Sequence, residues 1–372
     1  KQAVIEKEGI ILEGLTVKNS TGDTELKAGE DYSAAFDSTT GFLTITMLAG
    51  GKGAAATAIK VSGKVIDPSK VTKEDVIGAV DPSTGAETGA QVIRQVYPRL
   101  GIVPGLILAP GWSQIPEVGL ALAAKAAKIN GVYSAMALLD LDTAKAKKYT
   151  DTKSVKEESG YTSPFCYPLW PCDRVGEYIL AKSAVAGAVI QYMASDNEDV
   201  PNQSPSNHLL GVGGQCLEDG TEVYLDQDQA NTVNGYGVTT AINQNGYRLW
   251  GNYTGAYPAS SDAKDIWFAV RRMFSWQGNN FIQTYFDEVD DPMNNVLVQS
   301  VVDSENIRCS AYAPKYWAGA SIEYKSDDNP KTAILAGTMK FRQHIAPYTP
   351  AQEIVDIIDY DTDTLAAAVG GN

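Results

Sequence analysis

Histidine is scarce, with two in 372 residues, and basic charge is outnumbered: 30 Lys and Arg stand against 45 Asp and Glu, a formal net charge of -15. A groove for nucleic-acid backbones needs a surplus of Lys and Arg, so no nucleic-acid partner is expected. Long apolar runs are missing too. The longest, Ala181 to Ile190, is interrupted by Lys182 and Ser183 and falls short of the roughly 20 residues of a membrane span, so no membrane insertion is expected. The four cysteines, Cys166, Cys172, Cys216 and Cys309, form no CxxC pair and no zinc spacing. They read as free, buried thiols made in a reducing compartment. The opening KQAVIEKEGI carries neither a signal peptide nor a lipidation motif, and it lacks an initiator Met.

Motifs for chemistry are equally thin. His208 and His344 have no i,i+4 partner suited to zinc. GVGGQC, 211–216, puts Cys216 in a Gly-rich turn, and Cys216 with His344 could be drawn as a thiol–imidazole pair, but no family signature surrounds either residue. GVGG fits neither GxGxxG nor a phosphate loop. Ser113 in APGWSQ lacks the second glycine of GxSxG. The acidic run 287–291 lacks calcium-loop spacing and reads as a solvated helix end stopped by Pro292. No catalytic, cofactor-binding or metal residue is therefore assigned, and no cofactor is expected. The alternative kept open is an α/β enzyme of hydrolase-like or nucleotide-binding type, with its site near Pro110 to Ser113 or the Gly211 loop.

What is present is core-forming. Hydrophobic residues make up 44%, and the length fits two or three domains. Residues 1–85 read as β-rich: Leu43, Ile45 and Met47 alternate with threonines, and AIKVSGKVI follows with Gly63 as a candidate bulge. Residues 86–260 read as an α/β core. A short helix is expected from Glu87 to Tyr97, ending before Pro98. Then GLILA, the Ala- and Leu-rich helix opened by Pro116, and YSAMALLDL make a βαβ unit, which implies a parallel sheet. A basic helix over Thr143 to Tyr149, a strand in SPFCYPLWP, a helix over Glu177 to Ser195, a short helix over Asp228 to Asn234 and a hairpin turning at Asn245-Gly246 follow. Residues 261–372 read as α+β. One long helix is expected from Lys264 to Phe286, with Trp267, Val270, Phe274 and Phe281 on its apolar side, and a second from Asn294 to Ala311. Two strands and a final apolar strand, EIVDIIDYD, complete it. The fold class is thus an α/β core with a parallel or mixed sheet and flanking helices, plus an N-terminal antiparallel β domain and an α+β C-terminal region.

Several stretches, in order, carry a resemblance. RLGIVPGLILAPGWSQIPEVGLALAAKAAK, SAVAGAVIQYMASDNEDVPNQSPSNHLLGV and GYGVTTAINQNGYRLWGNYT, followed by DIWFAVRRMFSW and the YTPAQEIVDI tail, resemble contractile phage tail sheath proteins over about residues 86–365. The first 70 or so residues match less well and read as a lineage-specific β insertion. The resemblance implies a structural subunit and not an enzyme. It would polymerise helically around a tail tube and contract to drive the tube through a target envelope. Its implied partners are copies of itself, the tail tube protein, and baseplate and terminator proteins, in a virion tail assembled in the bacterial host cytoplasm. Extended terminal arms link subunits by adding strands to a neighbour's sheet. Ile354, Val355, Asp356, Ile357, Ile358 and Asp359 are the candidate arm, since an apolar strand at a chain end offers unpaired N–H and C=O groups. Lys264, Arg271 and Arg272 are candidate tube-facing charges.

Overall fold

The computed structural model describes residues 1–370, so the last two positions of the 261–372 region lie outside the described residues. The chain divides into two compact units, Lys1–Thr72 and Lys73–Asn372. The first unit is antiparallel throughout. Its strands are β1 (Gln2–Ile5), β2 (Ile10–Asn19), β3 (Glu25–Leu26), β4 (Tyr32–Phe36), β5 (Leu43–Met47) and β6 (Ile59–Val65). They form two three-stranded sheets, in the orders β1-β5-β4 and β3-β2-β6. The period of two in β5 works as expected: Leu43 and Ile45 are fully buried and meet Val17, Leu26 and Tyr32 in a small core. The irregularity expected at Gly63 lies in the facing strand, where the β2–β6 register shifts between Ile11 and Thr16. A Cβ on Gly63 would come within 2.8 Å of Leu15 Cδ1, so glycine leaves room for that bulge.

The second unit begins with α1 (Lys73–Ile77). Residues 73–85, grouped with the β-rich region from the sequence, belong to this unit: Lys73 Nζ donates to Glu117 Oε1 at 2.7 Å. The helix expected to stop before Pro98 instead runs as a 3-10 turn, Gly89–Gln95, and then α2 (Val96–Leu100), with Pro98 inside its first turn. The missing proline N–H costs nothing there, because first-turn donors have no intrahelical acceptor.

The heart of the unit is a parallel sheet of β7 (Leu106–Leu108), β8 (Met136–Asp140) and β9 (Cys166–Leu169), with α3 (Pro116–Ala127) crossing from β7 to β8. Alternate residues of β8 feed two cores. Ala137 and Leu139 pack with Val118, Leu122 and Ala126 of α3 on one face. Met136 and Leu138 meet Val185, Ala186, Ile190 and Phe268 on the other. Both faces are covered, which is why these strands are apolar without alternation.

Elsewhere the sequence reading needs correction. Residues 143–145 are a turn, because Asp142 Oδ1 accepts the Ala144 N–H and competes with helix formation; helix begins only with a 3-10 turn, Tyr149–Asp151, and α4 (Thr152–Ser159). After β10 (Cys172–Val175), Gly176 at φ 60° lets the chain reverse into β11 (Tyr178–Leu180), so α5 starts only at Lys182 (Lys182–Ser195). β12 (Gly214–Cys216) joins β10, α6 (Gln227–Gly235) opens with an Asp226 capping box, and β13 (Thr240–Asn243) pairs with β14 (Tyr247–Trp250) through Asn245 and Gly246, both at positive φ.

The expected long helix is two, α7 (Ala263–Ile266) and α8 (Phe268–Thr284), parted at Trp267. There the backbone turns to the 252–254 segment: Phe268 N–H donates to Asn252 O, and Thr254 N–H to Ile266 O, each at 2.8 Å. The buried face is Phe268, Val270 and Met273; Trp267, Phe274 and Phe281 are half-buried. α9 (Asn295–Ala311), capped by Asn294, packs on β15 (Trp317–Glu323). The short α10 (Lys331–Leu335) leads to β16 (Arg342–Pro347), antiparallel to β15. The final apolar strand is absent. Residues 351–361 carry no strand or helix and are exposed, before the last helix, α11 (Thr362–Ala368). A strand requires a partner edge, and the chain brings none alongside.

Candidate assembly surfaces

In open α/β sheets ligands usually bind outside the carboxyl ends of the strands. Here that position is filled by the protein itself. Asp140, the last residue of β8, accepts from Ser113 Oγ at 3.0 Å, from Ser183 N–H at 2.8 Å and from Ser183 Oγ at 2.5 Å. The cluster ties the βα turn after β7 to the first turn of α5, and Ser113 and Ser183 are fully buried. Burial raises the Asp140 carboxyl, and the serine hydrogen bonds oppose the rise. Ser113, the hydroxyl considered for an enzyme, is thus a buried tie with no open face. Cys216 and His344 are not brought together. Cys216 is buried opposite Cys172 across β10–β12, while His344 Nε2 lies 3.0 Å from Glu323 Oε1.

The three candidate tube-facing cations sit around α7 and α8 with different degrees of freedom. Lys264 keeps 41% of its side chain exposed beside Asp262 and Asp265. Arg271 keeps 15%, pairs with Asp265 at 3.2 Å and lies over the Phe165 and Phe274 rings. Arg272 is half-buried over Phe268.

The candidate arm leaves β16 along a defined path. Tyr348 OH donates to Pro314 O at 3.0 Å, and Tyr253 OH donates to Gln352 Oε1 at 2.7 Å. Tyr253 is itself held by stacking on Tyr257 and Trp267. Beyond Gln352 support stops: Ile354 is 89% exposed and Ile358 86%, with Val355 and Ile357 nearly as open. These four side chains, flanking Asp356, form an exposed apolar patch.

The β15–β16 ladder has only two strands, so each has one outer edge. Part of the β15 edge is covered, since Asn306 of α9 bonds both the N–H and the C=O of Ile322. Behind the ladder, Glu305 is fully buried and accepts from Arg308 Nη2 (2.5 Å), Gln277 Nε2 (2.6 Å), Gln343 Nε2 (2.8 Å) and Tyr285 OH (3.1 Å). Burial pushes its carboxyl up, but the Arg308 guanidinium and the amide donors outweigh that and hold it below the usual range. α8, α9 and β16 are thereby locked together.

Sequence reasoning did not find the Asp140 cluster, the Glu305 network or the buried ion pair of Asp173 and Lys182. One signal was present: a lysine inside an apolar run at a helix start demands a buried partner.

No family model matches the chain. It is 27% identical to the tail sheath protein of Burkholderia phage BcepMu over 96% of this chain and 76% of that protein. To the tail sheath protein of Escherichia phage P2 it is 24% identical, over 76% of this chain and 69% of that one. Its fold is similar to the PVC sheath complex of an extracellular contractile injection system in the contracted state. That likeness has a TM-score of 0.59 at 18% identity and covers 74% of this chain and 76% of the other. Over most of its length the chain is thus similar in sequence to tail sheath proteins of contractile phages, and its fold is similar to that of a contractile sheath.

Proposed function

We propose that this chain is the repeating subunit of a helical sheath that wraps a tail tube and contracts to drive it through a target envelope. The observation that carries the arm's part in this is the exposed apolar segment 354–358, which has no partner strand in its own subunit. In an assembly, Ile354, Val355, Asp356, Ile357, Ile358 and Asp359 would add as a strand to a neighbour's open edge, with β16 offering one. Gln352, held by Tyr253, would be the point where the arm leaves its own subunit. The α/β region 86–260 would form the rigid body, 261–372 the connecting region, and 1–85 an outer elaboration. Contraction would rearrange these bodies while the strand links persist. The tube is the proposed partner of the inner surface, where Lys264 is the most available cation and Arg271 and Arg272 are already engaged or enclosed. Baseplate and terminator proteins would meet the two ends of the polymer, and assembly would precede release from the host cytoplasm.

Removal of residues 353–372 tests the arm. The truncated chain is expected to keep its melting temperature and to lose only the α11 share of its circular dichroism, because residues 353–370 are exposed throughout. It should fail to form the filaments that the full chain forms under the electron microscope. Indistinguishable filaments from both chains would remove the arm from the proposal.

A further inference from the structure

A cavity of about 770 Å³ opens between α5 and α8 at the amino-terminal ends of β7 and β8, the end opposite the Asp140 cluster. Its walls include small and apolar residues such as Leu106, Leu108, Ala184 and Gly187. Two polar groups on its α8 wall, one helical turn apart, lack partners. Arg272 makes no ion pair or hydrogen bond among the described residues; only the Phe268 ring lies under its guanidinium, 5.6 Å away. Ser275 is 7% exposed, and its Oγ has no hydrogen-bond partner. Asp199 lines the same cavity without pairing with Arg272, and the nearby Tyr167 spends its hydroxyl on Gly251 O at 2.9 Å.

A half-buried guanidinium facing a cavity without an anion, beside a buried hydroxyl without an acceptor, is an arrangement native proteins seldom leave unexplained. Their juxtaposition in one cavity has a simple chemical complement. A carboxylate would take two N–H bonds from Arg272 and one O–H bond from Ser275, while a short apolar stem lay against Leu106 and Leu108. The Gln191 and Asn280 amides in the lining offer further polar contact. A single cation suits a single carboxylate better than a polyphosphate, which calls for several. Burial lowers Arg272 to about 10, so it still carries its charge at neutral pH.

We infer that this cavity is a binding site for a carboxylate with a short apolar stem, held by Arg272 and Ser275. The carboxylate comes either from a free small acid or from an Asp or Glu side chain of a second copy. The inference does not rest on the sheath reading, since binding is read on the unassembled chain.

Hexanoate is the probe, titrated into the full chain by calorimetry, with hexan-1-ol as the neutral control. The expected result is saturable binding of hexanoate and none of hexan-1-ol. Arg272→Met should weaken it by about tenfold or more, and Ser275→Ala by about threefold, the range for losing a charge-assisted and an ordinary hydrogen bond. Arg272→Lys should retain part of the affinity and guards against a fold defect in Arg272→Met. Absence of saturable binding, equal binding of hexan-1-ol, or affinity unchanged in both Arg272→Met and Ser275→Ala overturns the site. Sedimentation then separates the sources. Hexanoate that binds and also disrupts self-association identifies a neighbour's side chain; hexanoate that binds and leaves self-association unchanged identifies a free acid.

Discussion

Lys182 and Asp173 carry the clearest single-residue lesson. Their side chains are fully buried and 2.5 Å apart, joining the start of α5 to β10. Burial drives the Asp173 carboxyl up, and the Lys182 ammonium draws it back. Asp173 Oδ2 has no partner, so the pair is incompletely satisfied. Removal of one charge alone strands the other in a dry interior. Lys182→Met is therefore expected to cost about 3–5 kcal/mol in urea unfolding. The double replacement Lys182→Met with Asp173→Leu should recover most of that loss, because two apolar groups need no solvation. A double variant as unstable as the single one would show that the pair contributes beyond its own desolvation.

At the scale of elements, the Glu305 network predicts a pH response. Its folded carboxyl lies below the ordinary value, so its contribution is complete above the unfolded pKa of about 4.3 and is lost as pH falls through the folded value. Melting temperatures measured from pH 6 downward should drop for the native chain, and the gap to Glu305→Gln should close toward pH 3. A gap that stays constant would remove the ionised carboxylate from the account. Elements also show what local pattern can and cannot reveal. The βαβ unit, the Asn245-Gly246 hairpin and α9 were legible because periodicity, turn residues and caps lie within the stretches themselves. The break at Trp267 was not, because the acceptor for the Phe268 N–H is Asn252 O, supplied by another segment. The start of α5 was missed because Glu177 to Leu180, free of Gly and Pro, run straight into the Ala-rich helix, while the hairpin is set by Gly176 before them. The terminal strand was expected from β-prone residues, yet residues 351–361 have no edge to join within their own chain.

Over the whole molecule, a formal charge of -15 opposes close packing of identical copies. Salt shortens the Debye length from roughly 30 Å at 0.01 M to about 8 Å at 0.15 M. Assembly followed by light scattering should accelerate across that range. A rate that falls with salt would point to attractive charge pairs dominating the contacts. The first unit holds a core of its own around Val17, Leu43 and Ile45; the match to the BcepMu sheath protein spans 96% of the chain and so takes in most of this unit, against the expectation that it matches less well.

The sequence alone settled what could be read from near neighbours along the chain: the β character of the opening segment, the parallel βαβ order and the lack of catalytic spacing. Motif order, a one-dimensional property, carried the sheath resemblance. The folded chain decided which polar groups are buried together, because Asp140 with Ser113 and Ser183, and Glu305 with Gln277 and Gln343, are distant in sequence and adjacent only after packing. It also decided that Ile354 to Ile358 stand uncovered, since exposure depends on what the rest of the molecule places beside a segment.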